Sequence, residues 1–208
     1  MGELQKQDLK TDKRPYNFKK RSCPLSIDGA PKVDYKNVKL LKKQFDHLEI
    51  EGTIGPDSTA AVERLLPELH ECTHPGGSYS NIVYLSSGGG LLADGYAMGR
   101  LFKKYQVATV ITGGQQCSSS CAIAFLGGKY RSMEFDAELL FHAPYISSGI
   151  AIDCSDYGQV DELKKYYQAN LGHKDGEYLL ERTMNYCSNS SGWTLNADGA
   201  KLFGITTD

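Results

Sequence analysis

Three serines stand in a row between two cysteines, Cys117-Ser118-Ser119-Ser120-Cys121, and an apolar run from Ala122 to Leu126 follows. Upstream lies Ser86-Ser87-Gly88-Gly89-Gly90; downstream, Glu138-Leu139-Leu140-Phe141 leads into His142. These residue types suit acyl transfer. A seryl hydroxyl needs a base to take its proton, histidine can be that base, and adjacent glycines can bring bare backbone N–H groups up to a developing oxyanion. Each piece alone has a plain structural reading, since serines cap helices and glycines make tight turns. Their order along one chain is what argues for a site.

The elements around these residues follow from hydropathy period. His47 to Gly52 alternates as a strand does, and Pro56-Asp57-Ser58 opens an amphipathic helix through Ala61, Val62, Leu65, Leu66 and Leu69. Asn81 to Leu85 is an apolar strand that ends in the glycine-rich turn, and Leu91 to Tyr105 has helical spacing. Val107 to Ile111 is a further strand, Cys117 to Leu126 a buried helix, and Glu138 to Phe141 another strand. Strands alternating with helices predict an α/β fold with a parallel sheet and right-handed βαβ crossovers. Ligands of such folds bind at the carboxyl ends of the strands, where the glycine turn and Ser119 both fall.

The chain has 208 residues and 40% hydrophobic content, enough for a sizeable core. Two segments are expected. Residues 1–31 form a basic polar arm carrying Lys6, Lys10, Lys13, Arg14, Lys19, Lys20 and Arg21, read as a solvated tail. Residues 32–208 form the α/β body. A net charge of -2 supplies no electrostatic reason to expect nucleic acid, and the apolar runs are too short to span a bilayer. No signal peptide is visible, and Met1-Gly2 before a polar stretch suits a mature chain whose leader is gone. The six cysteines match no zinc spacing, so neither metal nor cofactor is expected. Their even number suits disulfides in an oxidising compartment, with a cytoplasmic setting and reduced thiols as the alternative. Cys154 with Cys187 and Cys23 with Cys72 are the expected pairs; Cys117 with Cys121 stays open, because one helical turn separates side chains poorly for a bridge.

Taken in order, LEIEGTIGPDSTAAVERLL, IVYLSSGGGLLADGYAMGRLF, CSSSCAIAFLGG and ELLFHAP resemble the proteolytic subunit of Clp protease and its wider ClpP/crotonase superfamily. The likeness runs from about Leu48 to Ile205 and is nearest in flavour to periplasmic Clp-like proteins with a Cys-x-Ser-x-Cys helix start. It implies a spiral of βαβ units and a serine peptidase-like hydrolase working through an acyl-enzyme. Ser119 matches the nucleophile, His142 the base, and the backbone N–H groups of Gly90 and Ser120 the oxyanion donors. Gly88 stands where the family has proline. The family's aspartate should fall near Ser191 or Gly192, and no acid occurs there. His142 is then oriented by Asn189, Ser191 or a backbone carbonyl, or by an acid from elsewhere, with Asp153 and Asp156 the suppliers. Lys129, the lysine nearest the serine helix, ranks low as an alternative base.

The resemblance also implies a peptide or protein substrate, and a homo-oligomer joined through the helix Gly158 to Leu171, which stands where Clp subunits carry a handle. It further suits an extracytoplasmic, periplasmic home. Two other classes compete with the hydrolase. One is a catalytically weak or silent Clp-like binding or assembly protein. The other is a crotonase-type acyl-CoA enzyme, which needs acids near the glycine turn, where only Asp94 is close.

Overall fold

The structure, a computed structural model, describes residues 47–69, 72–74, 77–79, 81–147, 152–154, 157–188 and 190–207. In chain order the strands and helices are β1 (His47–Ile54), α1 (Pro56–Leu65), β2 (Cys72–His74), β3 (Gly77–Tyr79), β4 (Ile82–Gly90), α2 (Leu92–Lys104) and β5 (Ala108–Ile111). They continue with β6 (Gln116–Ser118), α3 (Ser120–Phe125), β7 (Tyr130–Met133), β8 (Glu138–Phe141), β9 (Ile146–Ser147) and β10 (Ile152–Asp153). The last are α4 (Tyr157–Leu171), α5 (His173–Met184), β11 (Trp193–Leu195) and α6 (Ala197–Leu202).

Strand β4 is the hub of a seven-stranded, parallel-dominated sheet. One edge carries β1 along nearly its whole length. The other edge is shared: Ile82, Val83 and Tyr84 pair with β5, whereas Ser87 pairs with Cys117 of β6. From that division two branches grow, β5 to β7 and β6 to β8, all parallel, with β11 closing the second branch antiparallel to β8. Val83, Leu85, Ser87 and Gly89 alternate inward along β4, the period of two expected of a strand with one face on the core.

Two expected elements are redrawn. The glycine-rich stretch is not a turn, because Ser86 to Gly90 continues β4 and pairs with β1. The serine helix is shorter than its apolar run suggests: Cys117 and Ser118 belong to β6, and α3 starts at Ser120. All six residues of α3 are buried, so no amphipathic period marked its true start. At α1 the helical period continues past Leu65, but Pro67 lacks an N–H and the chain tightens into a 3-10 turn over Leu66–Glu68.

Close packing of α2 on α3 depends on missing side chains. A Cβ at Gly127 would lie 2.1 Å from the Gly99 carbonyl oxygen, and one at Gly95 would lie 2.6 Å from the Ser120 carbonyl oxygen. Helix α4 packs over this contact. Tyr166 donates its hydroxyl to the Ile123 carbonyl at 2.9 Å, and burial pushes its ionisation far above the usual tyrosine range, keeping it a donor. Tyr167, fully buried, bonds Thr183 of α5 at 3.2 Å, and Lys164 pairs with Glu177 at 2.8 Å on the exposed side. The helix expected at Gly158 to Leu171 therefore lies against the body of its own chain. The buried Arg131 ties the C-terminal segment to β7, donating to the Ile205 and Gly128 carbonyls at 2.6 and 3.0 Å.

Two disulfides are formed. Cys154–Cys187 fastens the lead-in to α4 to the end of α5, as expected. Cys117–Cys121 is also bridged, with Cα atoms 5.2 Å apart. The helical argument against it does not apply, since only Cys121 is helical. Cys23, the expected partner of Cys72, lies outside the described residues.

A Cβ at Gly99 would meet the Tyr166 hydroxyl at 1.8 Å. Gly99→Ala is expected to lower stability by about 2 kcal/mol through overpacking, and Tyr166→Phe by about 1 kcal/mol through loss of its hydrogen bond. Removing the hydroxyl also removes most of the clash, so the double variant should lose less than the sum, measured by urea denaturation.

Candidate active site

Ser119 lies between β6 and α3 with φ 57° and ψ -124°, a conformation that side chains rarely adopt and that costs about 1–3 kcal/mol. Its neighbours hold it there. The Ser119 N–H donates to the Leu140 carbonyl of β8 at 2.9 Å, and its own carbonyl accepts from Ile123 of α3 at 3.2 Å. Register explains the first bond, because β6 and β8 pair Cys117 with Leu139 and Ser118 with Leu140. Two residues past Leu140, beyond the end of β8, the chain reaches His142. One strand thus places both residues.

The glycines of β4 form the facing wall. A Cβ at Gly89 would lie 2.7 Å from both the Ser119 Cβ and the Ser118 carbonyl oxygen, and one at Gly90 would lie 2.1 Å from the Ile54 carbonyl oxygen. Both glycines have positive φ, 97° and 155°. Gly89 spends its N–H on Ser87 Oγ at 3.0 Å, and Ser87 in turn donates to the Gly52 carbonyl. Gly52, at φ 86°, sits at the register shift of β1 between Glu51 and Thr53, where the strand bulges.

A cavity of about 470 Å³ is lined by Gly52, Thr53, Gly88, Gly89, Gly90, Ser119, His142 and Tyr145. Of the three consecutive serines only Ser119 lines it; Ser118 and Ser120 are buried, their hydroxyls without a hydrogen-bond partner. The half-buried His142 points Nδ1 at the Ala143 carbonyl, 2.9 Å away, and its ring packs against Tyr145 with centroids 5.5 Å apart. A carbonyl can only accept, so Nδ1 carries the proton and Nε2 keeps its lone pair. Ala143 is fixed in its turn by an N–H bond to the Tyr186 carbonyl at 2.9 Å. Both line the cavity, and no hydrogen bond joins Ser119 to His142 among the described residues.

Of the other residues singled out in the sequence, Gly90 lines the cavity and Ser120 stands at the first position of α3, where helix N–H groups lack intrahelical acceptors. Ser191 is exposed and its N–H bonds Ser188 Oγ at 3.1 Å, while Asp153 is exposed on β10; no hydrogen bond joins either to His142. Asn189 and Asp156 lie outside the described residues. Asp94 accepts from Thr59 at 2.8 Å, joining α1 to α2, and Lys129 is exposed with its ammonium over the Tyr130 ring. Neither lines the cavity, whose ionisable side chains among the described residues are those of His142 and Tyr145. Thr53 and Tyr145 were missed in the sequence. Tyr145 follows the His-Ala-Pro run by one residue, a proximity that could have flagged it.

The curled parallel-dominated sheet with this cavity is a ClpP-like fold of the ClpP/crotonase class. The structure is similar to the 1510-N membrane-bound stomatin-specific protease, with a TM-score of 0.59 and 13% identity over 77% of this chain and 76% of that one. A complex of that protease with a substrate peptide aligns with a TM-score of 0.58, covering 72% of its chain at 14% identity. ClpP1 from Listeria monocytogenes aligns with a TM-score of 0.55 and 14% identity, over 77% of this chain and 88% of that one. No family model matches the chain.

The N-terminal quarter has a different likeness. It is 71% identical over 49 residues to small ribosomal subunit protein bS18 of Pelagibacter ubique, matching 24% of this chain and 49% of that protein. The counterpart in Brucella ovis is 38% identical over 52 residues, 60% of its length. The chain thus spans about half the length of the first of these relatives and under two thirds of the second. By composition alone the opening residues are a solvated basic arm with no family attached.

The Gly90 Cβ clash is with backbone, which cannot swing aside. Gly90→Ala is expected to cost about 2 kcal/mol or more and to shift Ile54 and Leu91, whose carbonyl and N–H bond each other at 2.9 Å. Gly114→Ala, with open space around it, is the control: only its positive φ is strained, so its thermal midpoint should fall less.

Proposed function

We propose that the chain is a serine peptidase-like hydrolase in which Ser119 attacks a carbonyl carbon of a peptide or ester. The observation that carries this reading is the convergence of a strained Ser119 and an Nδ1-protonated His142 on one cavity walled by side-chain-free backbone. Substrate entry closes the remaining gap, and Nε2 takes the seryl proton as the Oγ–C bond forms. The oxyanion accepts from Gly90 and Ser120; Gly90 is favoured because the Gly89 N–H is already used. His142 then returns the proton to the leaving group, and water releases the acyl-enzyme by the same path.

On this reading the Ala143 carbonyl orients His142, and among the described residues no carboxylate does so. A carbonyl fixes the tautomer but supplies no full charge to stabilise the imidazolium that forms, so that part of a carboxylate's contribution is missing. Slow turnover follows. A second reading, a Clp-like binding protein without catalysis, draws on the missing Ser119–His142 hydrogen bond. The acyl-CoA alternative draws no support from the cavity lining, which holds no carboxylate among the described residues.

We also infer that the N-terminal segment is a unit apart from the body. A 49-residue likeness to a ribosomal protein is longer than the 31-residue arm read from composition, which argues for a boundary near the start of β1. The two disulfides support an oxidising, extracytoplasmic compartment, whereas a ribosomal-type segment suits the cytoplasm; mapping the thiols of the isolated protein decides between them.

A fluorophosphonate should label the protein at Ser119, and Ser119→Ala should abolish labelling. Ester hydrolysis is expected to fall by about three decades in His142→Ala and to change by less than about threefold in Asp153→Asn and Asp156→Asn. Turnover that survives Ser119→Ala, or no labelling of the wild type, defeats the hydrolase reading. A chain lacking residues 1–46 should keep both labelling and thermal midpoint.

A further inference from the structure

We propose that the Cys117–Cys121 disulfide is a positioning clamp that holds Ser119 in its reactive conformation, an inference that rests on the hydrolase reading for its catalytic consequence. The bridge spans five residues with Ser119 at the centre, joining the last strand turn before the serine to the first helical turn after it. A non-glycine residue at φ 57° and ψ -124° persists only where its surroundings over-determine it. The backbone anchors on either side are short. Strand β6 has three residues and meets β4 at the single pair Ser87–Cys117, and α3 has six residues. Side chains add little else: Ser119 makes no cap bond, and the Ser118 and Ser120 hydroxyls are buried without partners. The covalent bridge is therefore the one side-chain tie across the turn among the described residues. Both sulfurs belong to fully buried residues, so the clamp sits in the core beneath Ser119 and leaves the cavity side open.

Loop length separates this role from general stabilisation. Constraint of the unfolded chain grows with the loop closed, so a bridge of separation 4 contributes less to global stability than Cys154–Cys187 with separation 33. The two bonds should dissociate experimentally. Amide hydrogen exchange and fluorophosphonate labelling are measured on the full chain as wild type, Cys117→Ala/Cys121→Ala and Cys154→Ala/Cys187→Ala. In the first double variant, exchange at the Ser119 and Ser120 amides should rise by about tenfold or more, with Leu139 to Phe141 still protected. Labelling and kcat should fall on the order of 100-fold with KM nearly unchanged, the effect of a nucleophile displaced by about 1 Å. The second double variant should lose more thermal stability while exchange at Ser119 and Ser120 stays within about twofold of wild type. Should the first variant fail to fold, wild type opened by a phosphine reductant and mapped by thiol alkylation provides the same comparison. Unchanged exchange at Ser119 and Ser120 with the bond open overturns the clamp. Raised exchange in a protein whose wild type takes no label upholds the clamp and defeats the hydrolase reading instead.

Discussion

The structure turns on backbone contacts that no side chain could survive. At Gly89 and Gly90 three elements meet: β4 itself, β1 through Ile54, and the entry to α3 through Ser118 and Ser119. Replacing either hydrogen by a methyl group forces backbone apart, because the nearest atoms are carbonyl oxygens and a Cβ rather than flexible side-chain ends. The same hydrogen-only surface that lets the sheet divide at β4 leaves a wall of bare peptide facing Ser119. Packing and chemistry therefore depend on one stretch of five residues. A second tier of contacts without side chains, Gly95 and Gly99 against Ser120 and Gly127, seats α2 on α3 and fixes the helix that begins after Ser119.

Much of the body was legible because its signals are periodic and its breakers strong. Strand β1, helices α1, α2 and α4, and strands β5 and β8 lie where alternation or helical spacing put them. What could not be read has physical causes. Glycines in a strand look like a turn until a partner strand needs close approach, which is the case for Gly88 to Gly90. Strand β6 is only three residues long and runs directly into an apolar helix, so no change of period separates Cys117 from Ala122. Strand β7 hides behind Arg131, a residue that composition assigns to solvent but whose guanidinium is bonded to buried carbonyls. The ribosomal likeness of the N-terminal quarter has no signature in charge or hydropathy beyond a basic run, and physical patterning does not separate such a segment from a solvated arm.

For the site itself, residue order pointed to Ser119 and His142, and the fold brings both to one cavity. Order could not supply the orienter. A backbone carbonyl has no residue type to recognise, so residue order leaves it as one alternative beside Asn189, Ser191, Asp153 and Asp156. Thr53 entered the cavity through the bulge at Gly52, a feature that depends on pairing with β4 rather than on any local motif.

Ser119 and His142 are each backed by a disulfide, though in different ways. Cys117–Cys121 brackets Ser119 directly. Cys154–Cys187 acts at one remove: Cys187 follows Tyr186, whose carbonyl holds the Ala143 N–H, and the Ala143 carbonyl in turn receives Nδ1 of His142. In a triad with a carboxylate, charge as well as geometry keeps the imidazole in place, and some looseness in its support is tolerated. Here the orienting group is a neutral carbonyl on the neighbouring residue, so the ring direction is only as firm as the backbone of Ala143. Tyr145, packed on the imidazole, adds a second restraint on the same short segment. Rigidity supplied by covalent bonds and ring packing thus stands where a charged partner would otherwise do both jobs. On the proposed hydrolase reading it can fix the tautomer and the aim of Nε2, but it cannot offset the cost of forming an imidazolium, so that reading carries slow chemistry with it.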